Sequence, residues 1–185
     1  MKFLILLRSI NISGKNIIKM KELREELGKF KSFSNIQTLI QTGNIVLDCD
    51  LEEKEIEKNI SFTLENSFNV SNPQMAIFNL DKFSNILSKS ANAISGHDQV
   101  NSFDRLTLIF PTTDTQLLER DIDESEKKNM TESCFWTIID DVVFYNGKMS
   151  GVDAKVYKRL DSKLKKLRYT ARKYRTCNKC LDLMK

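Results

Sequence analysis

Gly14-Lys15 closes the stretch Arg8-Ser-Ile-Asn-Ile-Ser-Gly-Lys-Asn16, which follows the apolar run Lys2–Leu7 and precedes a helical pattern. A strand, a loop ending in Gly-Lys and then a helix is the layout of a phosphate-binding loop. In such a loop glycines let backbone N–H groups wrap the phosphates, lysine reaches the β/γ-phosphates, and a Ser/Thr hydroxyl holds magnesium. Here Ser9 takes the place of the first glycine and Asn16 that of the hydroxyl. The hairpin signals downstream argue for an antiparallel sheet, whereas loops of this class sit in parallel sheets. Nucleotide hydrolysis is therefore not expected. Anion binding is the broader expectation, because Arg8, Lys15 and the amides of Asn11 and Asn16 crowd one loop ahead of a helix N-terminus. The same Asn, Ser and Gly residues also serve ordinary turn chemistry.

A second concentration of charge lies at the other end of the sequence. Arg168, Arg172, Lys173, Arg175 and Lys179 are interleaved with Tyr169 and Tyr174. Cations that hold phosphates beside rings that stack bases suit single-stranded nucleic acid. The aromatic signature of the RNA-recognition sheet is absent, so that particular mode is not expected. The plainer alternative is an amphipathic helix with a solvated basic face, its Tyr174, Cys177, Leu181 and Met184 packed inward.

Other residues with catalytic or ligating chemistry are sparse. The one histidine, His97, falls in a polar stretch away from both motifs, and no Ser/His/Asp arrangement is readable. Cys177-x-x-Cys180 is the closest cysteine pair, and a zinc site would want two such pairs or histidines at ligand spacing. Neither metal nor cofactor is expected. Asp48 and Asp50 could pair as carboxylates, but strand-end aspartates commonly belong to turns.

Three segments in order resemble a known family. They are LLRSINISGKNIIKMKELREEL, TLIQTGNIVLD and, near the end, YTARKYRTCNKC. Together they are similar to the bacterial domain-of-unknown-function family 1697, whose pattern runs approximately LLRGINVGGKN, T-x-x-Q-S-G-N-V-V-F and T-T-R-N-W-N-T-V. Arg8, Asn11, Gly14, Lys15, Asn16, Met20, Gln41, Gly43, Asn44, Thr170, Arg172 and Thr176 match it. Ser9, Thr42, Lys173, Tyr174 and Arg175 depart from it, and the closing motif becomes more basic. The resemblance implies a duplicated ferredoxin-like fold and brings no established activity.

The elements that must position these residues follow from periodicity. Met20, Leu23, Leu27 and Phe30 predict a helix over about Lys19–Lys29. Ile36–Gln41 and Ile45–Asp48 around Thr42-Gly43-Asn44 predict a tight hairpin. Ile56, Ile60, Leu64 and Phe68 mark a second helix, and Gln74–Phe78 a strand after Pro73. A helix over Asp81–Lys89 precedes the polar stretch Ala91–Asp104, which reads as a linker. The order then restarts. Arg105–Phe110 is a strand, Asp114–Lys127 an acidic helix, and Ser133–Ile139 with Val142–Tyr145 a hairpin turned by Asp140-Asp141. Val152, Val156, Leu160, Leu164 and Leu167 trace a helix, and Thr170–Met184 a last one that Thr170 would cap. The expected architecture is α+β, two tandem ferredoxin-like units over 1–90 and 105–185 with an extra C-terminal helix.

Composition fits a soluble domain with 41% hydrophobic and 29% charged residues. The opening apolar run stops at Arg8, short of the ~7–15 residues of a signal core, and no run nears the ~20 of a membrane span. With four scattered cysteines, this places the chain in the cytoplasm with no membrane partner. Charge is unevenly spread. Met1–Lys31 carries eight Lys/Arg against three Glu, Ser32–Ser150 nine basic against nineteen acidic residues, and Gly151–Lys185 twelve basic against three acidic. The basic ends bracket an acidic middle. If the opening loop, the first hairpin and the closing segment approach one another, Arg8, Lys15, Arg172 and Arg175 would contact phosphate. Asn11, Asn16, Gln41, Thr42, Gly43 and Asn44 would shape the site and orient the ligand. The leading expectation is an anionic ligand, nucleic acid or nucleotide. A small-molecule enzyme acting on a phosphorylated substrate, or a non-catalytic interaction module, are the alternatives. No catalytic residue is nominated.

Overall fold

A computed structural model describes residues 1–12, 14–95, 103–112, 130–148, 151, 153–164 and 168–185. Strand β1 (Lys2–Leu7) is central to the first sheet because five of its six residues are buried hydrophobes. Helix α1 (Met20–Leu27), strands β2 (Ser34–Leu39) and β3 (Asn44–Asp48), helix α2 (Glu53–Phe68) and strand β4 (Met75–Asn79) follow. The sheet order is β2-β3-β1-β4, with every pair antiparallel. Period-two alternation sends Phe3, Ile5 and Leu7 into one core with Leu23 and Leu27 of α1 and Ile56, Ile60 and Leu64 of α2. Leu4 and Leu6, on the opposite face, are equally buried. The sheet is thus apolar on both faces and offers no open platform of the RNA-recognition kind.

Local chemistry sets the ends of these elements. Glu53 and Glu55 favour the positive end of the α2 dipole, and Asn69, at φ 54°, ends the helix in the left-handed conformation with its N–H on Leu64 O. Edge strand β2 carries a register shift between Ser34 and Gln37, with Asn35 at φ 49° and its amide donating to Asp48 at 2.6 Å. Such irregularity discourages pairing with a foreign strand.

Helices α3 (Leu80–Ser88) and α4 (Ser90–Ile94) lead to the second sheet. It comprises β5 (Leu106–Pro111), β6 (Phe135–Ile139), β7 (Val142–Asn146) and, after helix α5 (Asp153–Leu164), strand β8 (Tyr169–Lys173). Its order, β6-β7-β5-β8, again all antiparallel, repeats that of the first sheet. In each sheet the first strand pairs with the third and fourth while the second lies at the edge, which is the ferredoxin-like arrangement. Asp140 and Asp141 adopt φ 48° and 62° between the paired Ile139 and Val142, a two-residue turn whose twist suits a hairpin. Helix α6 (Tyr174–Met184) ends the chain, with Cys177, Cys180 and Met184 buried.

Two expectations need correction. Residues 170–173 are not the start of the closing helix but the greater part of β8, paired Phe110↔Thr170, Ile109↔Ala171 and Leu108↔Arg172. The fourth strand completes the sheet, so Thr170 lies inside a strand and not at the start of the closing helix, which begins at Tyr174. The stretch Ala91–Asp104 opens on α4, whose Ser90 and Ala93 are buried. The expected helix at 114–127 and His97 lie outside the described residues.

The backbone divides into two compact units, residues 1–84 with 179–185, and residues 85–178. Within the first, Lys2 Nζ donates to the Leu183 carbonyl at 3.5 Å. Among the described residues no helix is long and apolar enough to cross a membrane.

Candidate functional site

The loop after β1 is held by its own backbone. Leu7 N–H donates to Gly43 O at 2.8 Å and Arg8 N–H to Gln74 O at 2.8 Å, fixing where the strand stops. The chain then folds back, Asn11 N–H reaching Asn16 O at 3.1 Å and Lys15 N–H reaching Ile12 O at 2.9 Å. Ser9, Asn11, Gly14 and Asn16 take positive φ of 56°, 55°, 76° and 49°. Asparagine and glycine enter that region at low cost, which accounts for much of the loop's composition. The Asn11 and Lys15 N–H groups are turned onto carbonyls of the same loop. They do not form the outward nest of a Walker loop.

Asn11 clamps this loop to the first hairpin. Its Nδ2 donates to Gln41 O at 2.7 Å and to Ile18 O at 2.9 Å, while its Oδ1 accepts the Ile18 N–H at 2.7 Å. Both amide protons are therefore used inside the protein. Asn44, fully buried, spends its amide on Leu39 O at 2.9 Å and Thr42 Oγ1 at 3.1 Å. Asn16 donates to Ser9 O at 3.0 Å. Gly43, at φ 72°, leaves room for β1, since a Cβ there would lie 2.7 Å from Leu7 Cβ. Of the residues expected to orient a ligand, Asn11, Asn16, Gly43 and Asn44 thus build the loop and the turn.

What this scaffold presents outward is different. Lys15, Gln41 and Thr42 are exposed and Arg8 is half-buried. Beside them Ile12, Ile17 and Ile40 are 55%, 73% and 52% exposed. Sequence reading passed over these isoleucines, because aliphatic residues in a loop carry no signal until their burial is known.

The two arginines nominated in the second unit differ sharply. Arg172 is 8% exposed, and its guanidinium donates to Thr170 Oγ1 at 2.8 Å and Ala171 O at 2.9 Å. It is part of the sheet's interior. Arg175 on α6 is exposed, as are Arg168, Lys173 and Lys179. Tyr174 stacks on Phe103 with ring centroids 4.4 Å apart, and Tyr169 donates to the Asp161 carboxylate.

Buried polar chemistry in the second unit centres on Tyr145. Its hydroxyl lies 3.2 Å from both Lys148 O and Asp153 O, and 3.7 Å from Cys134 Sγ. Burial pushes the Tyr145 hydroxyl far above its ordinary range and raises the Cys134 thiol. The cluster ties β7 to the start of α5. Asp50 pairs with the Met1 ammonium at 3.1 Å, and Asp48 accepts from Asn35, so both strand-end carboxylates serve structure. Among the described residues no group of three or more His, Cys, Asp or Glu could hold a metal ion.

The family model described as Protein of unknown function (DUF1697) matches residues 1–136. The chain belongs to that family. The DUF1697 match takes in the opening loop, the Asn11 clamp and the first hairpin, and ends before β8 and α6. Among solved structures, the conserved bacterial protein SP0830 from Streptococcus pneumoniae is similar over 100% of this chain and 98% of its own. Sequence identity is 19% and the TM-score 0.69, a likeness of fold. No curated protein matches the chain. In this member of DUF1697, the first unit holds the best-defined candidate surface, an apex formed by the opening loop and the first hairpin turn, joined through Asn11 and displaying Lys15.

Proposed function

We propose that the protein binds an anionic ligand, nucleic acid before nucleotide, through cations displayed on each unit. The observation that supports this is a division of labour at the apex of the first unit. Asn11, Asn16 and Asn44 are committed to internal hydrogen bonds, while Lys15 stands exposed on the loop they fix. In the second unit Arg168, Lys173 and Arg175 supply further exposed charge. A phosphate held by such side chains releases condensed counterions, so binding weakens as salt rises.

Fluorescence anisotropy of a labelled single-stranded RNA, titrated at low and moderate salt, tests the reading. Lys15→Ala and Arg175→Ala should each weaken binding and reduce the salt slope by about 0.7, the amount for one phosphate contact. Arg172 is unsuited to this test because its removal disturbs β8. Absence of binding at the lowest salt would refute the proposal.

A further inference from the structure

An anion site made only of charge has no use for three exposed isoleucines. Ile40 adds a second oddity, since a β-branched residue at φ 51° is strained and its side chain gains little by burial. Strain kept at an exposed position points toward presentation of that side chain. The Asn11 clamp couples its turn to the loop carrying Ile12, Lys15 and Ile17. Gln41, next along the turn, is bound through its backbone carbonyl and leaves its carboxamide exposed.

We infer that this apex takes an unstacked nucleobase of a single strand, adenine by preference, together with its phosphate. The inference rests on the anion-binding reading and deepens it. Each ligand part has a counterpart. Lys15 attracts the phosphate, aliphatic faces of Ile12, Ile17 and Ile40 cover the flat apolar base, and Gln41 offers its donor–acceptor pair to the base edge. A carboxamide complements the N6/N7 edge of adenine with two hydrogen bonds. A duplex keeps its base faces stacked against one another, so only an unpaired strand presents them.

The experiment compares oligoadenylate with an abasic strand of the same length and charge, using the full chain. Oligoadenylate should bind about tenfold more tightly, the factor one good base contact gives. Ile17→Ser/Ile40→Ser, checked by circular dichroism and melting for an intact fold, should lose that preference. Lys15→Ala should weaken both strands alike, and Gln41→Ala should erase the preference for oligoadenylate over oligouridylate. Equal affinity for the two strands, or a preference that survives loss of the isoleucines, would overturn the base contact and leave anion binding standing. Failure of both strands to bind would remove both readings. Adenosine monophosphate competing as well as the oligonucleotide would overturn the single-strand assignment.

Discussion

Two hairpins occupy the same place in two sheets of the same strand order, and they are closed in opposite ways. β6 and β7 are joined by Asp140-Asp141 alone, both at positive φ, with Ile139 already paired to Val142. β2 and β3 are joined by the four residues Ile40–Gly43, which include a strained isoleucine and are pinned by Asn11 and Asn44. Strand pairing requires only the shorter connection. The longer one therefore carries a strained residue that strand pairing does not need.

Breaking the longer hairpin should have the largest effect. Gly43→Val combines a left-handed backbone with a side chain driven into Leu7, and should destabilise by about 2–5 kcal/mol in urea unfolding. Gly14→Ala, at φ 76° with nothing within 4 Å of the added Cβ, should cost only about 1 kcal/mol. Equal losses for the two would refute the close-approach argument. Asn11→Ala leaves the Gln41 and Ile18 carbonyls and the Ile18 N–H without their partner, a loss of about 1–3 kcal/mol. Hydrogen exchange at the Ile18 amide should accelerate more than exchange across β1, and uniform acceleration would count against a local clamp.

The second unit is sharpened by pH. Tyr145 ionises far less readily when folded than at its ordinary value of 10.0. Its contribution is therefore complete below pH 10 and declines above it, as the unfolded chain releases the proton first, by at most about 1.4 kcal/mol per pH unit. Tyr145→Phe should lose about 1 kcal/mol at neutral pH, and the gap to wild type should narrow in alkali. Parallel stability curves would contradict the buried hydroxyl. The smallest change belongs to the minimal turn. Asp141→Gly relieves φ 62° and should stabilise by up to about 1 kcal/mol in thermal unfolding, leaving Asp140 to pair with Lys89.

Most of the fold was legible because β1, α1, α2 and the two hairpins carry strong periodicity. β8 was not, since Thr170-Ala171-Arg172-Lys173 shows no apolar alternation and its inward-facing Arg172 reads as a surface cation. The five residues of α4 are too few to show a helical period. At the apex, residue types were readable as turn formers. Their partners were not, because the bond from Asn11 to Gln41 spans 30 residues and only the folded sheet brings them together.

The grouping of residues 179–185 with residues 1–84 has a consequence for synthesis. A nascent chain delivers residues 85–178 as one continuous stretch, so that unit has all its strands before the ribosome reaches residue 179. The earlier-made unit has its four strands by residue 79 but receives residues 179–185, with Leu183 beside Lys2, only at the end. The half of the protein translated first is thus the half completed last.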